Sequence, residues 1–102
     1  MAVYMTDSGD GCLTARITGE IDHHSARWLR ADIDTAIQDR SPSRLILDFS
    51  GVSFMDSSGV GLVMGRYKNM KERGGSVELK NMPEYIEKVM TLAGMDRLLG
   101  GR

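Results

Sequence analysis

Cysteine, proline and aromatic residues are scarce in this sequence, and charge of either sign is not in excess. The single cysteine, Cys12, cannot form a disulfide within the chain, which favours a reducing compartment and therefore the cytoplasm. A formal net charge of −1 provides no strong attraction for nucleic acid or a membrane surface. The apolar runs, such as residues 60–64, are much too short to cross a bilayer. No basic segment followed by an apolar core is found near the N-terminus, so we expect no signal peptide.

The composition that is present fits one small globular domain. The chain has 102 residues, of which 41% are hydrophobic and 26% are charged, so it can bury one modest core. The sequence contains no internal repeat, low-complexity segment or linker. We therefore expect residues 1–102 to form a single domain.

The first half of the sequence predicts a hairpin followed by a helix. An apolar run at residues 3–5 and an alternating segment at residues 13–17 flank the turn sequence Asp7-Ser-Gly-Asp-Gly11. Asp22 is a favoured helix N-cap residue, and the apolar residues after it fall on one helical stripe, namely Ala26, Leu29, Ile33, Ala36 and Ile37. This helix is expected to end just before Pro42.

The middle of the sequence predicts a buried strand at residues 44–49, a connection at residues 51–55 and a second helix. The second helix starts at the Asp56 step and ends at Gly74 and Gly75. Its expected core stripe is Val60, Val63, Met64, Tyr67 and Met70.

The last part of the sequence predicts a strand at residues 76–80 and a third helix. Pro83 suits the first position of that helix, and Gly94 suits its end. Residues 95–99 are expected to form a last helical turn. A hairpin followed by alternating helices and strands predicts an α/β fold with a mixed sheet.

The tetrapeptide Asp56-Ser57-Ser58-Gly59 lies at a predicted helix start. Unpaired backbone N–H groups and the helix dipole make that position favourable for a hydroxyl or a phosphate. Gly59 and Gly61 lack side chains, so another molecule could approach the backbone there. The alternative is that Asp56 or Ser57 merely caps the helix. No oriented base accompanies the serines, so they do not predict a nucleophilic enzyme site.

One face of the second helix is a candidate contact surface. Leu62, Gly65, Arg66 and Asn69 lie off the expected core stripe, and Gly61 is one turn before Gly65. Glycine weakens a helix by up to about 1 kcal/mol relative to alanine. Two such glycines on one face indicate close packing against either a partner or a neighbouring helix, and both interpretations stay open.

The segment Asp22-His23-His24-Ser25 is a further candidate. Adjacent histidines on a helix point in different directions, so they predict no metal site. The segment is either a capped helix start with two exposed imidazoles or part of the same surface as Ser57. Trp28 lies off the apolar stripe, where we expect it to shield the edge of the core, with a partner contact as the alternative.

Three segments resemble the anti-sigma factor antagonists, which are single-domain members of the STAS fold. They are Thr18-Gly-Glu-Ile-Asp-His-His24, Ser53-Phe-Met-Asp-Ser-Ser-Gly59 and Gly65-Arg-Tyr-Lys68. The resemblance extends from about residue 13 to residue 99. The His-His pair, the Ser-Ser pair and Gly-Arg-Tyr-Lys are more similar to the sporulation branch of the family than to the general-stress branch. Ser25 stands where the sporulation branch has threonine, a change that keeps the hydroxyl.

The resemblance implies a fold and a function. The fold is a mixed sheet of four or five strands flanked by about four helices. The function is regulation of sporulation transcription: the unphosphorylated protein binds an anti-sigma factor that is also a serine kinase, and the sigma factor is released. The kinase uses ATP to phosphorylate the antagonist, which matches Ser57 here, and a phosphatase reverses the step. Asp22 and Asp56 match the family's acidic residues near that serine.

The resemblance implies a binding module without catalysis or a cofactor of its own, as a monomer or weak dimer. Three alternatives remain: a general-stress antagonist, a STAS subunit of a larger signalling assembly, and a small nucleotide-binding enzyme. The chain contains no P-loop motif, which disfavours the last.

Overall fold

The computed structural model describes residues 2–95, which form a four-stranded sheet and three helices. The strands are β1 (Ala2–Asp7), β2 (Cys12–Ile21), β3 (Arg44–Met55) and β4 (Ser76–Lys80). The helices are α1 (His23–Arg40), α2 (Ser57–Glu72) and α3 (Glu84–Leu92). The mixed sheet and the α/β class are confirmed, and the described part has three helices where about four were expected. Of the last helical turn predicted at residues 95–99, Met95 is not helical and the rest lies outside the described residues.

The sheet has the order β1-β2-β3-β4. The predicted hairpin is present, since β1 and β2 are antiparallel, and β3 and β4 then run parallel to β2. Parallel neighbours need crossover connections, which α1 and α2 supply. The two helices contact each other as well as the strands, so they cover the same face of the sheet.

The core lies between that face and the helices. Alternate strand residues point into it, and they meet the apolar stripe of α1. From the two central strands these are Leu13, Ala15, Ile17, Leu45, Leu47 and Phe49, and from the helix Leu29, Ile33 and Ile37, all at most 1% exposed. The stripe predicted for the first helix is thus the buried face, and it fixes the helix over the sheet.

The connection predicted at residues 51–55 is wrong, because β3 continues as a strand to Met55. Two irregularities in its pairing with β2 place extra residues in β3, so the alternation of its side chains breaks. Gly51 is required by a close approach, since a Cβ there would press on the side chain of Thr18. Serine and glycine residues with broken alternation are typical of a loop, which is why this half of the strand was missed.

The buried face of α2 differs from the predicted stripe. Leu62 and Arg66, both expected on the free face, are 3% and 5% exposed, whereas Met64 is 56% exposed. Val63 and Met70 are buried as predicted. The helix is rotated relative to the expectation because Arg66, a charged residue, lies against α1 and pairs with Asp34 there.

The ends of the last two helices follow the predicted chemistry with a one-residue difference. Pro83 is the N-cap of α3 rather than its first residue. Gly74 and Gly94 have positive φ angles of 77° and 78° directly after the caps of α2 and α3. Among residues 2–95, no helix is both long and apolar enough to cross a membrane.

Candidate functional site at the starts of two helices

The two predicted loop sites meet at one edge of the sheet. Ile21 and Met55 are register partners at the carboxyl ends of the parallel strands β2 and β3. Each strand is followed at once by an aspartate and a helix, and the Asp56 N–H donates to the Ile21 carbonyl at 3.0 Å. The start of α1 therefore lies beside the start of α2, and the Asp22 segment shares a surface with the Ser57 step.

Asp56 caps α2, which leaves Ser57 free. The Asp56 carboxylate accepts a hydrogen bond from the Ser58 backbone N–H at 2.8 Å. Ser57 is the first helical residue and is exposed, and its hydroxyl makes no hydrogen bond to any of residues 2–95. Ser58 is half-buried. Of the two serines, Ser57 is the one that a second molecule can reach more easily.

Asp22 and Ser25 cap α1 reciprocally. The Asp22 carboxylate accepts from the Ser25 N–H at 2.9 Å and the His24 N–H at 3.0 Å. The Ser25 hydroxyl accepts from the Asp22 N–H at 2.8 Å and donates to the Glu20 carbonyl at 2.8 Å. The backbone hydrogen bond from Ser25 lowers the pKa of the Asp22 carboxyl, so Asp22 presents a negative charge near Ser57. Ser25 itself is 8% exposed and serves the cap.

The two histidines of α1 are exposed, and their rings meet edge to face with centroids 5.9 Å apart. No group of three His, Cys, Asp or Glu side chains within residues 2–95 is arranged to hold a metal ion. His23 faces α2, where it lines a surface pocket, and His24 lines a different groove beside Trp28.

The pocket between α1 and α2 has a volume of about 300 Å³. Its polar lining consists of His23, Arg27 and Arg30 from α1 and Ser58 from α2, with Gly61 at its side. Sequence reasoning missed the two arginines. The signal was available, because residues 23, 27 and 30 recur at intervals of four and three and so share one helix face.

The glycines of α2 have different surroundings. Gly59 is buried, and a Cβ there would overlap the side chain of Met55, so this glycine admits a neighbour from its own chain rather than a partner. A Cβ at Gly61 or Gly65 would meet no atom within 4 Å. Nothing in the described chain packs closely on these two glycines, so the interpretation of a close-packed neighbouring helix is wrong, and the partner interpretation stays a prediction.

Three other residues of the expected contact face point towards α1. The Arg66 Nε lies 2.8 Å from the Asp34 Oδ1, and the Asn69 Nδ2 donates to the same oxygen at 3.0 Å. Burial lowers the pKa of the Arg66 guanidinium, and the charge of Asp34 opposes that effect. Leu62 is buried beside the same helix. The contacts of Arg66 and Asn69 with Asp34 fix α2 against α1 one to two turns beyond the pocket.

Trp28 does not shield the core as expected. Its side chain is 64% exposed, and it borders an open groove with Gly19, Glu20 and His24. The core beneath α1 is closed by Leu29 and Ala26 instead, on the adjoining face of the helix. Trp28 therefore contributes apolar surface near the Asp22 segment.

The sequence matches the STAS domain family over residues 4–101. It is 33% identical over 89 residues to the anti-sigma F factor antagonist of Paenibacillus polymyxa, covering 87% of this chain and 76% of that protein. It is 40% identical over 80 residues to the anti-sigma F factor antagonist of Lysinibacillus sphaericus, covering 78% of this chain and 68% of the relative.

Solved structures agree with these sequence relatives. The anti-sigma factor antagonist SpoIIAA in its unphosphorylated form superposes with a TM-score of 0.85 at 35% identity, covering 96% of this chain and 85% of the other. The phosphorylated form of SpoIIAA from Bacillus superposes with a TM-score of 0.77 at 35% identity, covering 96% and 88%. The chain belongs to the STAS domain family and, within it, to the anti-sigma factor antagonists.

Proposed function

We propose that this chain is a phosphorylation-controlled binding module that, when unphosphorylated, binds an anti-sigma factor and thereby releases a sigma factor of the sporulation programme. The single observation that carries the proposal is the exposed Ser57 hydroxyl at the start of α2, beside the start of α1. Its relatives are antagonists of anti-sigma factors, and one of them has been solved with and without phosphate. The proposal places the chain in the cytoplasm, as a monomer or weak dimer.

The anti-sigma factor is proposed to act as the serine kinase. The Ser57 Oγ attacks the γ-phosphorus of ATP, a new O–P bond forms, the bond to the β-phosphate oxygen breaks and ADP leaves. A base of the kinase takes the hydroxyl proton. A serine phosphatase later hydrolyses the phosphate ester. In this scheme the chain supplies the acceptor hydroxyl and no catalytic group.

The proposed contact surface is the exposed part of the residues around Ser57. It consists of Asp22, His23, His24, Ser58, Gly61 and Gly65, with Asn69 at its margin. The buried residues Ser25, Gly59, Leu62 and Arg66 hold this surface in place from beneath. Asp56 supports it by fixing the first turn of α2.

A phosphate on Ser57 is proposed to end binding locally. It adds about −1.5 to −2 charges at pH 7 together with a bulky hydration shell. A partner packed on the bare surface at Gly61 has to desolvate that charge, which is costly without a paired cation. A loss of about 4 kcal/mol weakens binding roughly a thousandfold, so a local change suffices for switching.

The test is phosphorylation by the partner kinase with ATP, followed by mass-spectrometric mapping and binding titration. We expect phosphate on Ser57 and loss of binding after modification. Ser57→Ala should bind the partner and resist being switched off, while Ser58→Ala, the matched control, should still be phosphorylated. Phosphate mainly on Ser58, or unchanged binding after modification of Ser57, contradicts the proposal.

A further inference from the structure

Arg27 and Arg30 are cations without a counter-ion at the proposed switch. Both side chains line the pocket between α1 and α2, and both residues are exposed. Within residues 2–95, no carboxylate forms an ion pair with either of them. Other arginines do have carboxylate partners, as Arg40 at the end of α1 does with Asp7 and Arg66 of α2 does with Asp34. Two arginines without a carboxylate partner in one concave site therefore make it favourable for an anion.

The location of the pocket identifies the anion. Ser58 lines its wall, Ser57 precedes it in the same first turn, and Gly61 one turn below keeps the wall open because it has no side chain. His23 contributes an imidazole whose ring nitrogens can form hydrogen bonds in the pocket. The volume of about 300 Å³ accommodates a phosphoryl group together with several waters.

From this arrangement we infer that the α1–α2 pocket receives the phosphoryl group of phosphorylated Ser57 and that Arg27 and Arg30 hold it there. Arginine suits the role, because its planar guanidinium donates two parallel hydrogen bonds to phosphate oxygens. The inference rests on the proposed function for the presence of the phosphate. It adds that the phosphoseryl side chain adopts one conformation, in which Arg27 and Arg30 bind its phosphoryl group.

The charges around the pocket oppose one another. Asp56, next in sequence, and Asp22, at the start of α1, repel a dianion, whereas the helix dipole, Arg27 and Arg30 attract it. Substituting the two arginines changes the attraction for the dianion and leaves the helix caps at Asp22 and Asp56 intact. Their effect is therefore separable from that of the helix start.

The second pKa of the phosphoserine measures the contact directly. Phosphoserine is placed at position 57 during translation, and its ³¹P shift is titrated in the chain and in Arg27→Gln/Arg30→Gln. The arginines stabilise the dianion, so the unaltered chain should have the lower value, by about 1 unit and thus at the small end of the range for a close opposite charge. Removing both should bring the value back towards about 6.

Two controls define the result. Arg16→Gln removes the same charge from the face of the sheet opposite the helices and should leave the phosphoserine pKa unchanged. His23→Gln removes the imidazole from the pocket lining and separates its effect from that of the arginines. Equal pKa values in the chain and the double arginine variant overturn the inference. If the two pKa values are equal and that variant also loses binding of the unphosphorylated chain to the anti-sigma factor, the pocket accepts an acidic partner group in place of the phosphate.

This experiment is independent of the kinase, because phosphoserine is installed without it. If the kinase fails to modify Ser57 while the ³¹P shift still reports the arginines, the proposed function fails and the pocket assignment stands. If the kinase modifies Ser57 and the arginines have no effect on the phosphoserine pKa, the pocket assignment fails and the proposed function stands.

Discussion

Gly59 and Gly61 are two positions apart on α2 and have opposite surroundings. Gly59 faces the core, where Met55 occupies the space that a Cβ would need. Gly61 faces outward at the pocket, with no atom within 4 Å of the corresponding position. Glycine is thus needed at position 59 for internal packing. At position 61 it leaves an open surface, and there it lowers the stability of the helix.

Alanine at these two positions should change stability in opposite directions. Gly59→Ala overpacks the contact with Met55 and should cost about 1–3 kcal/mol, less the gain in helix propensity. Gly61→Ala should stabilise the protein by up to about 1 kcal/mol. Thermal melting measures both, with about 4–8 °C expected per kcal/mol in a domain of this size. Equal melting temperatures for the two variants would show that Met55 moves aside freely.

Residue types predicted the helix start that carries Ser57 better than the surroundings of that helix start. The step Asp56-Ser57 was predicted at a helix start from cap chemistry, and the structure confirms that start. The pairing of the two helix starts depends on register between β2 and β3, which no local pattern contains. Arg27 and Arg30 were missed because their significance depends on the gap opposite them on α2.

At the scale of elements, the contact between α1 and α2 determines the geometry of the site. The Asp34 carboxylate of α1 forms an ion pair with the Arg66 guanidinium of α2 and accepts a hydrogen bond from the Asn69 amide. The Arg66 side chain is 6% exposed, whereas that of Asp34 is 38% exposed, so the ion pair is only partly shielded from water. The helices are thus locked together one to two turns beyond the pocket.

Removing the charge of Asp34 should loosen this contact. Asp34→Asn leaves the buried guanidinium without its counter-ion, and we expect a loss of about 1–3 kcal/mol in the free energy of unfolding. This is less than for a fully buried pair because water screens Asp34. Asp32→Asn on the exposed side of the same helix is the control and should change stability by no more than about 0.5 kcal/mol. Denaturant unfolding measures the free energy of unfolding of both variants. Equal losses in Asp34→Asn and Asp32→Asn would show that the ion pair does not hold α2 against α1.

The elements that the sequence misplaced share one cause. In the second half of β3 and on the buried face of α2, tertiary contacts override the local pattern. Gly51 belongs to a strand because it pairs with Thr18 of β2, and Arg66 is buried because Asp34 lies opposite it on α1. A single hydrophobic periodicity cannot include a paired arginine or a bulge, whereas it did predict the buried residues Leu29, Ile33 and Ile37 of α1.

At the scale of the whole molecule, the proposed switch at Ser57 lies at the rim of one packed core. The cores beneath α1, α2 and α3 form one hydrophobic cluster, and Ser57 is outside it. The cap of Asp56 is fixed to the end of β2 through the Ile21 carbonyl. A phosphate on the exposed Ser57 hydroxyl therefore touches none of the buried side chains that pack on the sheet.

Phosphorylation should therefore change the surface and leave the fold in place. The helix dipole favours the dianion by about 0.3–1 kcal/mol, and up to about 2 kcal/mol if it is partly buried. Repulsion from Asp56 opposes this, and attraction by Arg27 and Arg30 adds to it, so the net change in stability should be about 1 kcal/mol. That change corresponds to a shift of about 4–8 °C in the melting temperature.

Amide shifts and melting of the phosphorylated and unmodified chains, measured beside partner titration, check this prediction. The shifted amides should cluster at the starts of α1 and α2, while those of β1 and β4, at the edges of the sheet, should stay in place. Ser57→Asp should reproduce the loss of binding only in part, because a carboxylate carries less charge and bulk than a phosphate. Shifts throughout the sheet, or melting displaced far beyond this range, would mean that the phosphate acts by rearranging the fold. In that case the partner would read a changed conformation rather than the charge at Ser57.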